Sequence, residues 1–456
     1  MTGKNIRKIV SAAALLLIAA LAVAAVIYLK GEHGGLSPLR FTGSLANLLG
    51  LCGLLGFVLM VALGTRFHWI ERFLGLDRVY RIHKILGVAV LFTLVGHALL
   101  RTLFFSMSHG GKWEWSFLFY FSTNNVPLLI GHLAVYLLVL IVPLAIFGRH
   151  RISYWLWKNS HFLVYPAVAL GFVHAWLEQG KRFASPSNLL FFLPIGAILI
   201  FLSAYRMMAA YRLKRRATWK VAEVVRETND TSTLVLERPE GPGPFASRKA
   251  GQFAIIRVHD GKKWSQPHPF TISAPPHSDK LHFTIKAAGK FTSAVPSLAP
   301  GTKVLCEGPY GIFSMNFEKE NEIVMISGGV GITPFLSSIR HALKISAESR
   351  LVLFCCNKTY DDIIAREELH AASQKLNLTI VHVLSKVRKE DLPEGDEKTH
   401  FENGYFSSAL ASKYVLGLEA SFYLCGPPPM QIGVLKALKE SFGVPPWKVR
   451  RELFFY

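Results

Sequence analysis

The chain has 456 residues, of which 51% are hydrophobic, and its formal net charge is +21 at pH 7. A chain of this length exceeds one ordinary domain. Residues 1–216 contain 22 Lys and Arg against 5 Asp and Glu, whereas residues 217–456 contain 29 against 25. The basic excess flanks apolar runs, so it favours a membrane protein over a nucleic-acid-binding protein. The 5 cysteines form no C-x-x-C pair, which argues against a disulfide framework or a zinc site.

The N-terminal half contains six apolar runs of about 20 residues, the length that crosses a hydrocarbon core. They predict membrane-spanning helices near 9–29, 43–64, 82–104, 126–147, 154–177 and 187–210. The first run could also be a signal peptide. It is longer than a typical signal core and has no clear A-x-A cleavage site before Lys30, which favours an uncleaved helix.

Lys and Arg are distributed unevenly between the two ends of these runs. One set of ends carries 16 of them and the other carries 6. Positively charged loops tend to stay on the cytoplasmic side, so the richer set should face the cytoplasm. The sequence therefore predicts a plasma-membrane or inner-membrane protein, in contact with lipid, whose N-terminus and C-terminal half are both cytoplasmic.

Histidines occur as two pairs in the third and fifth runs. His83 and His97 are 14 residues apart, and His161 and His174 are 13 apart. Both runs cross in the same direction, so each histidine has a partner at its own depth, with about 20 Å between the two levels. Two imidazoles at one depth can ligate one haem iron, which predicts two b-type haems. A neutral, hydrogen-bonded core imidazole is the alternative, and it fits His132, which has no partner at matching spacing.

The rotation of the side chains supports one pair better than the other. Fourteen residues return a helical side chain to within about 40° of the same face, but thirteen leave it about 140° away. Pro166 lies between His161 and His174. Because a proline inside a helix removes a hydrogen bond and can kink the helix, we expect it to correct the rotation. The basic residues near the two levels could meet haem propionates or anchor the helices: Arg81, Lys84, Arg101 and Lys158.

The C-terminal half changes to short strands punctuated by Gly, Pro and Asp, which predict a small antiparallel barrel. From about residue 319, strands alternate with helices, which is typical of a parallel α/β domain. The sequence therefore predicts three domains: a membrane domain (1–216), a barrel (217–318) and an α/β domain (319–456).

Two stretches of the α/β domain indicate nucleotide binding. ISGGVGITPFLSSI joins a strand to a helix, where glycines let the backbone approach a pyrophosphate. In FYLCGPPPM, Cys425, Gly426 and Pro427 could border a nicotinamide ring. The acidic ribose partner expected about 20 residues after the turn is missing, and Lys358 follows the second strand. A cation there suits a 2′-phosphate, so NADPH is favoured over NADH.

Five motifs carry a resemblance to the ferredoxin–NADP reductase fold. HPFTIS, KAAGKFTS, GPYG, GGVGITPFLS and CGPPPM occur in that family's order and cover nearly all of 217–456. Together with six apolar runs and paired histidines, the whole chain resembles the NADPH oxidase and ferric reductase superfamily. The fold class implied is an all-α six-helix membrane bundle holding two haems. It is fused to an antiparallel β-barrel for FAD and an α/β parallel-sheet domain for the nucleotide.

The resemblance implies FAD as a cofactor and assigns roles to individual residues. The flavin would be held by His268, Pro269, Phe270, Thr271 and Ser273, and its pyrophosphate by Lys286, Gly289 and Thr292. Phe270 would pack on the isoalloxazine and Thr271 would reach its edge; soluble reductases usually have Arg where His268 stands. The dinucleotide loop would comprise Gly328, Gly329, Gly331, Thr333 and Pro334. Hydride transfer would take place beside Thr271, Cys425 and Tyr456, the last of which belongs to the terminal ELFFY and would cover the flavin.

The function predicted is transmembrane electron transfer from cytoplasmic NADPH, through FAD and two haems, to an acceptor at the outer face. Dioxygen, giving superoxide, is the first choice of acceptor. A ferric chelate or other metal complex, and a membrane or periplasmic protein, are the alternatives. The sequence shows no EF-hand or proline-rich partner motif, so we expect no obligate protein partner, and constitutive activity if the chain works alone. The placement of the basic residues beside apolar runs argues against a nucleic-acid ligand.

Overall fold

The computed structural model describes residues 37–65, 67, 70–71, 74–109, 125–148, 151–178, 185–215, 218–238, 240–415 and 419–452. The predicted span 9–29 and the predicted flavin-covering residue Tyr456 lie outside these residues. The chain divides into two compact units, one ending at Tyr211 and the other beginning at Arg212.

The first unit is helical. Its helices are α1 (Pro38–Gly64), α2 (Leu76–Ser108), α3 (Val126–Phe147), α4 (Tyr154–Phe162), α5 (Val164–Leu177) and α6 (Pro186–Arg215). Among the described residues, five helical segments are long and apolar enough to cross a membrane, with α4 and α5 counting as one. These segments confirm the helical membrane half predicted from the sequence and make the chain a multi-pass membrane protein.

Small residues let α1 and α2 pack closely. A Cβ atom added at Gly53 would collide with Leu94, and one at Gly43 would lie 2.9 Å from the Phe104 ring. Without a hydrophobic driving force in lipid, membrane helices associate through such close packing. The glycines on this face of α1 therefore set the distance between the two helices: Gly43, Gly50, Gly53 and Gly56.

The fifth predicted span is broken between α4 and α5. α4 ends at Phe162, α5 begins at Val164, and Pro166 lies in the first turn of α5. Proline has no backbone N–H, so it leaves the carbonyl of Phe162 without its usual helical partner. The break falls between His161 and His174, where the sequence required a change in rotation.

The second unit begins with an antiparallel sheet. Its strands are β1 (Trp219–Arg226), β2 (Thr231–Glu237), β3 (Phe253–Val258), β4 (His268–Thr271), β5 (Leu281–Lys286) and β6 (Lys303–Tyr310), in the order β4-β3-β6-β1-β2-β5. The backbone N–H of Ser273, just after β4, donates to the carbonyl of His282 on β5 at 2.8 Å. This bond links the two ends of the sheet, so the sheet curls into the predicted barrel around a single apolar core.

The parallel sheet contains β7 (Glu322–Gly328), β8 (Arg350–Asn357), β9 (Leu378–Leu384), β10 (Thr399–Asn403), β11 (Ser421–Cys425) and β12 (Arg450–Glu452). Its order is β10-β9-β8-β7-β11-β12. The helices of this unit are α7 (Lys290–Ser293, in the barrel), α8 (Thr333–Ile345), α9 (Arg366–Lys375), α10 (Ser408–Tyr414) and α11 (Pro428–Phe442). Apolar clusters cover both faces of the sheet, which is usual for parallel sheets. The chain continues to one side of β7 and later returns to the other, so the end of β7 is a topological switch point, where such folds bind ligands.

Candidate functional site

The glycine-rich turn lies at this switch point. β7 ends at Gly328, a 3-10 turn covers Gly329–Ile332, and α8 begins at Thr333 with Pro334 in its first turn. Gly329 has φ of +52°, a conformation that glycine adopts without the penalty paid by other residues. The positive end of the α8 dipole lies at this turn, which suits a pyrophosphate.

The turn packs directly on the end of β11. A Cβ atom at Gly331 would collide with the carbonyl of Cys425, and one at Gly328 would collide with the Met430 sulfur. The structure therefore brings together the two stretches that were predicted to bind the dinucleotide, from Gly328 to Pro334 and from Cys425 to Pro427.

Cys425 is fully buried and pairs with Ser327 of β7 across the sheet. Burial, with a smaller contribution from the Glu452 charge, raises the pKa of the Cys425 thiol well above its usual range. The thiol is therefore protonated at physiological pH. Because the thiolate is the reactive form of cysteine, Cys425 can serve as a small neutral neighbour of a nicotinamide but not as a nucleophile.

Two residues of this region were missed by the sequence analysis. Met430 contacts the turn at Gly328, and the Nε2 of Gln431 donates to the carbonyls of Gly426 and Glu452, at 2.9 and 3.1 Å. Gln431 thus fixes the backbone after β11. Met430 ends the CGPPPM motif, which was a usable signal; nothing in the local sequence marked Gln431.

The flavin motif on β4 forms an aromatic stack. The ring centroids of His268 and Phe291 are 3.9 Å apart with an interplanar angle of 16°, and Phe270 lies 6.1 Å from Phe291. Burial lowers the pKa of His268, so its ring is neutral at physiological pH. Thr271 is buried and Pro269 is exposed. Phe291, which lies in the KAAGKFTS motif, was not singled out from the sequence.

Other residues assigned to the flavin have partners within the protein. The Lys286 ammonium lies 2.8 Å from a carboxylate oxygen of Asp230. The Thr292 hydroxyl accepts the N–H groups of Ala288 and Gly289, each at 2.9 Å, so it shapes the turn before α7. The Ser273 hydroxyl lies 3.1 Å from that of Thr284, inside the barrel.

The segment after β8 carries charges of both signs. Lys358 is followed by Asp361 and Asp362, and the Asp362 carboxylate accepts the N–H and hydroxyl of Thr359 at 3.0 and 2.9 Å. The Arg366 guanidinium lies 4.1 Å from the centroid of the Tyr360 ring. The sequence analysis used Lys358 and overlooked the two aspartates in the same turn.

In the membrane unit, the four paired histidines meet across helices. The ring centroids are 6.3 Å apart both for His83 with His161 and for His97 with His174, with interplanar angles of 64° and 70°. Metal–imidazole bonds are about 2 Å long, so two rings on opposite sides of one iron have centroids about 6 Å apart. Both pairs fit a bis-histidine haem. The described residues contain no group of three or more ligands of the kind that holds a bare metal ion.

His97 and His174 are oriented by hydrogen bonds to the backbone. The Nδ1 of His97 lies 2.7 Å from the carbonyl of Ala46, and that of His174 lies 2.8 Å from the carbonyl of Pro127. A Cβ atom at Gly50 would approach His97, and one at Gly131 would lie 2.6 Å from His174. The bonds leave Nε2 free for iron, which is how metal-bound histidines are usually oriented.

His161, the partner of His83, is held differently. The Nδ1 of His161 is buried without a hydrogen-bond partner among the described residues, and its ring stacks on Trp157, with centroids 5.8 Å apart. The Trp157 indole is itself fixed by donating to the carbonyl of Ala145 at 3.1 Å. Arg101, a predicted propionate partner near the outer level, lies 3.2 Å from a carboxylate oxygen of Glu178.

Three family models match consecutive parts of the chain. They are "Ferric reductase like transmembrane component" over residues 49–172, "FAD-binding domain" over 216–314 and "Oxidoreductase NAD-binding domain" over 325–436. The membrane match includes His83, His97 and His161 and ends two residues before His174. The other two matches cover the barrel and most of the parallel sheet.

Two curated relatives match part of the chain, 48% and 64% of its length. NADH-cytochrome b5 reductase 2 of Mycosarcoma maydis is 33% identical over 234 residues, which are 48% of this chain and 64% of the relative. Dual oxidase 1 of Sus scrofa is 25% identical over 325 residues, 64% of this chain and 20% of the relative. A crystal structure of flavohemoglobin from Malassezia yamatoensis, with bound FAD and heme, is 16% identical, covers 92% of this chain and 100% of its own, and has a TM-score of 0.46. The chain spans less than two thirds of the length of these curated relatives.

Proposed function

Because this chain belongs to the NADPH oxidase and ferric reductase superfamily, we propose that it carries electrons across a membrane. The donor is cytoplasmic NADPH, the carriers are FAD and two b-type haems, and the acceptor is at the outer face. The observation that carries the proposal is the equal 6.3 Å separation of the two histidine pairs.

The second unit prepares the donor for hydride transfer. The N-terminus of α8 and the turn at Gly328–Thr333 bind the pyrophosphate, and the neutral Cys425 thiol borders the nicotinamide without attacking it. The stack of His268, Phe270 and Phe291 provides aromatic surface for the flavin ring. FAD, when bound, accepts two electrons as hydride and releases them singly, as haem requires.

The membrane unit fixes the ligands of two one-electron carriers at two depths. α2 provides His83 and His97, and the broken span provides His161 on α4 and His174 on α5. Because the break lies between the latter two, both imidazoles can turn toward α2. Haem, when bound by such pairs, supplies reversible one-electron transfer.

Two acceptors compete for the last step. The similarity to Dual oxidase 1 favours dioxygen, and the match to the ferric-reductase-like membrane family favours a ferric compound. Dioxygen, giving superoxide, is the proposed acceptor, and a ferric chelate is the alternative along the same route.

Vesicles containing the purified full-length chain, loaded with FAD and haem, test both the transmembrane transfer and the identity of the acceptor. With NADPH outside and cytochrome c trapped in the lumen in air, we expect reduction of cytochrome c that trapped superoxide dismutase suppresses. A trapped ferric chelate, tested without oxygen, gives the comparison rate. Faster reduction of the chelate would select the alternative, and NADPH oxidation with no lumenal product would contradict transmembrane transfer.

A further inference from the structure

One arginine joins the helix that follows the dinucleotide turn to the segment that follows the flavin motif. Arg340 lies on α8, seven residues after Thr333. Its Nη1 donates to the carbonyl of Ser273 at 2.7 Å, while Nε and Nη2 donate to the two carboxylate oxygens of Glu368 on α9, each at 2.6 Å. This paired, charge-assisted contact fixes the plane of the guanidinium.

A second side chain on the same face of α8 reinforces the contact. The Ser337 hydroxyl donates to the carbonyl of Ala274 at 2.9 Å, in a buried environment. Residues three apart on a helix lie on one face, so Ser337 and Arg340 together bind two consecutive carbonyls of the barrel. Those carbonyls begin two residues after Thr271, the last residue of the flavin motif on β4.

The barrel holds the same segment from its other side. The N–H of Ser273 donates to His282, and its hydroxyl meets Thr284, whose hydroxyl lies 2.9 Å from that of Thr233. Burial, followed by the Arg340 charge, lowers the pKa of His282 to about 4, so a neutral imidazole stands beside the ion pair. The barrel therefore fixes the N–H and the hydroxyl of Ser273, and α8 binds the carbonyls of Ser273 and Ala274.

The hydrogen bond from Arg340 to the Ser273 carbonyl contributes more to fixing this segment than the ion pair with Glu368 does. The Glu368 side chain is 43% exposed, against 18% for Arg340, so solvent screens the carboxylate. The Ser273 carbonyl would lose its donor without Arg340, and a buried carbonyl without a partner is costly.

We propose that Arg340, oriented by Glu368, is a positioning residue that sets the dinucleotide turn against the flavin segment for hydride transfer. The inference rests on the proposed use of FAD and a nicotinamide donor by this chain. Hydride transfer requires the reacting atoms at about 3–3.5 Å, and a misplacement of about 1 Å can cost about 100-fold in rate. Through Arg340, α8 connects the dinucleotide turn directly to the flavin segment, and such a connection can supply that accuracy.

The first test measures flavin reduction by NADPH in the FAD-loaded full-length chain, by stopped flow without oxygen. We expect Arg340→Ala to lower the limiting rate constant about 10- to 100-fold and to weaken the nicotinamide–flavin charge-transfer absorbance. The dissociation constant for NADP⁺ should change less than about threefold. Glu368→Gln should lower the rate about three- to tenfold, and Arg340→Lys should recover part of the loss. The matched control is Arg388→Ala, which removes an exposed ion pair with Asp391 and should leave the rate unchanged.

A second readout does not depend on activity. In the FAD-free full-length chain, amide hydrogen exchange of residues 272–274 should be faster in Arg340→Ala than in wild type and unchanged in Arg388→Ala. A wild-type limiting rate and charge-transfer band in Arg340→Ala overturn the proposal. If that variant fails to fold, wild-type values for both Arg340→Lys and Glu368→Gln overturn it.

The two proposals fail differently. Flavin reduction by NADPH does not involve the haems or the final acceptor, so it reports on Arg340 even when transmembrane transfer is absent. A wild-type chain that binds neither FAD nor NADPH would contradict the proposed function, and the inference with it. In that case the amide exchange rates at 272–274 would still report whether Arg340 holds the segment.

Discussion

At the scale of single residues, the membrane histidines separate into two kinds. His83, His97, His161 and His174 each face an imidazole from another helical segment at the distance that one iron would bridge. His132 instead stacks on Tyr136 of its own helix, with centroids 5.9 Å apart. The meeting of rings from two helices, rather than burial of an imidazole, marks the proposed ligands.

This difference predicts the haem content of variants. Wild type should contain about two haems per chain, and His83→Ala or His97→Ala should each reduce this to about one, because one axial ligand of one haem is lost. Pyridine haemochrome analysis of the purified chains gives the numbers. His132→Ala is the control and should keep both haems; a loss there, or one haem in wild type, would refute the two-level arrangement.

The preference for NADPH over NADH is also predicted from single residues. Lys358 provides a positive charge after β8, while Asp361 and Asp362 in the same turn provide negative ones. One carboxylate oxygen of Asp362 is engaged by Thr359. If Lys358 meets a 2′-phosphate, Lys358→Glu should lower kcat/KM for NADPH about 10- to 100-fold, the value of one strong ion pair.

The same variant should change kcat/KM for NADH less than about threefold, because NADH has no 2′-phosphate. Steady-state rates with both donors provide the comparison. A wild-type protein that prefers NADH, or equal losses with the two donors, would contradict the assignment and point to the aspartates.

At the scale of elements, the placement of the paired histidines depends on the break between α4 and α5 and on the close approach of α3 to His174. The break at Leu163 separates the rotation of α4 from that of α5, and Gly131 on α3 makes room for the His174 ring. The same ring donates to the carbonyl of Pro127, one turn earlier on α3. α3 therefore both orients and confines the His174 ring.

Gly131→Ala should selectively disturb the haem proposed between His97 and His174. The new Cβ would lie 2.6 Å from Nδ1 of His174, so the ring must move or lose its bond to Pro127. We expect haem content to fall toward about one per chain, or one haem to lose its low-spin spectrum. Gly171→Ala makes the same chemical change where Cβ meets only Phe57, at 3.8 Å, and should keep both haems. Equal spectra for the two variants would contradict the role of Gly131 in making room for the His174 ring.

At the scale of the whole molecule, two units with different solvents share one chain. The membrane unit relies on glycines and interhelical contacts, since lipid gives no hydrophobic drive between helices. The second unit has apolar cores in the barrel and on both faces of the parallel sheet. The turn predicted to bind the dinucleotide lies where strand order reverses, and α8 connects that turn to the segment after β4, so the barrel and the parallel sheet are joined beside the predicted site.

The sequence by itself determined the features that depend on neighbouring residues. Run length and charge predicted five described spans, and alternating short strands predicted the barrel and the parallel sheet. The glycine turn and the CGPPPM motif predicted the nucleotide site, because glycine spacing and helix N-termini are local properties. The depth-matched histidines were also available from spacing alone.

Only the tertiary structure decided how distant residues meet. The 13-residue spacing of His161 and His174 opposed a common face until the helix broke before Pro166. The bond from Arg340 to Ser273 joins residues 67 positions apart, and Phe291 contacts His268 although β5 lies between them in the sequence. Such contacts depend on how strands and helices pack, which local propensity and motif chemistry do not encode.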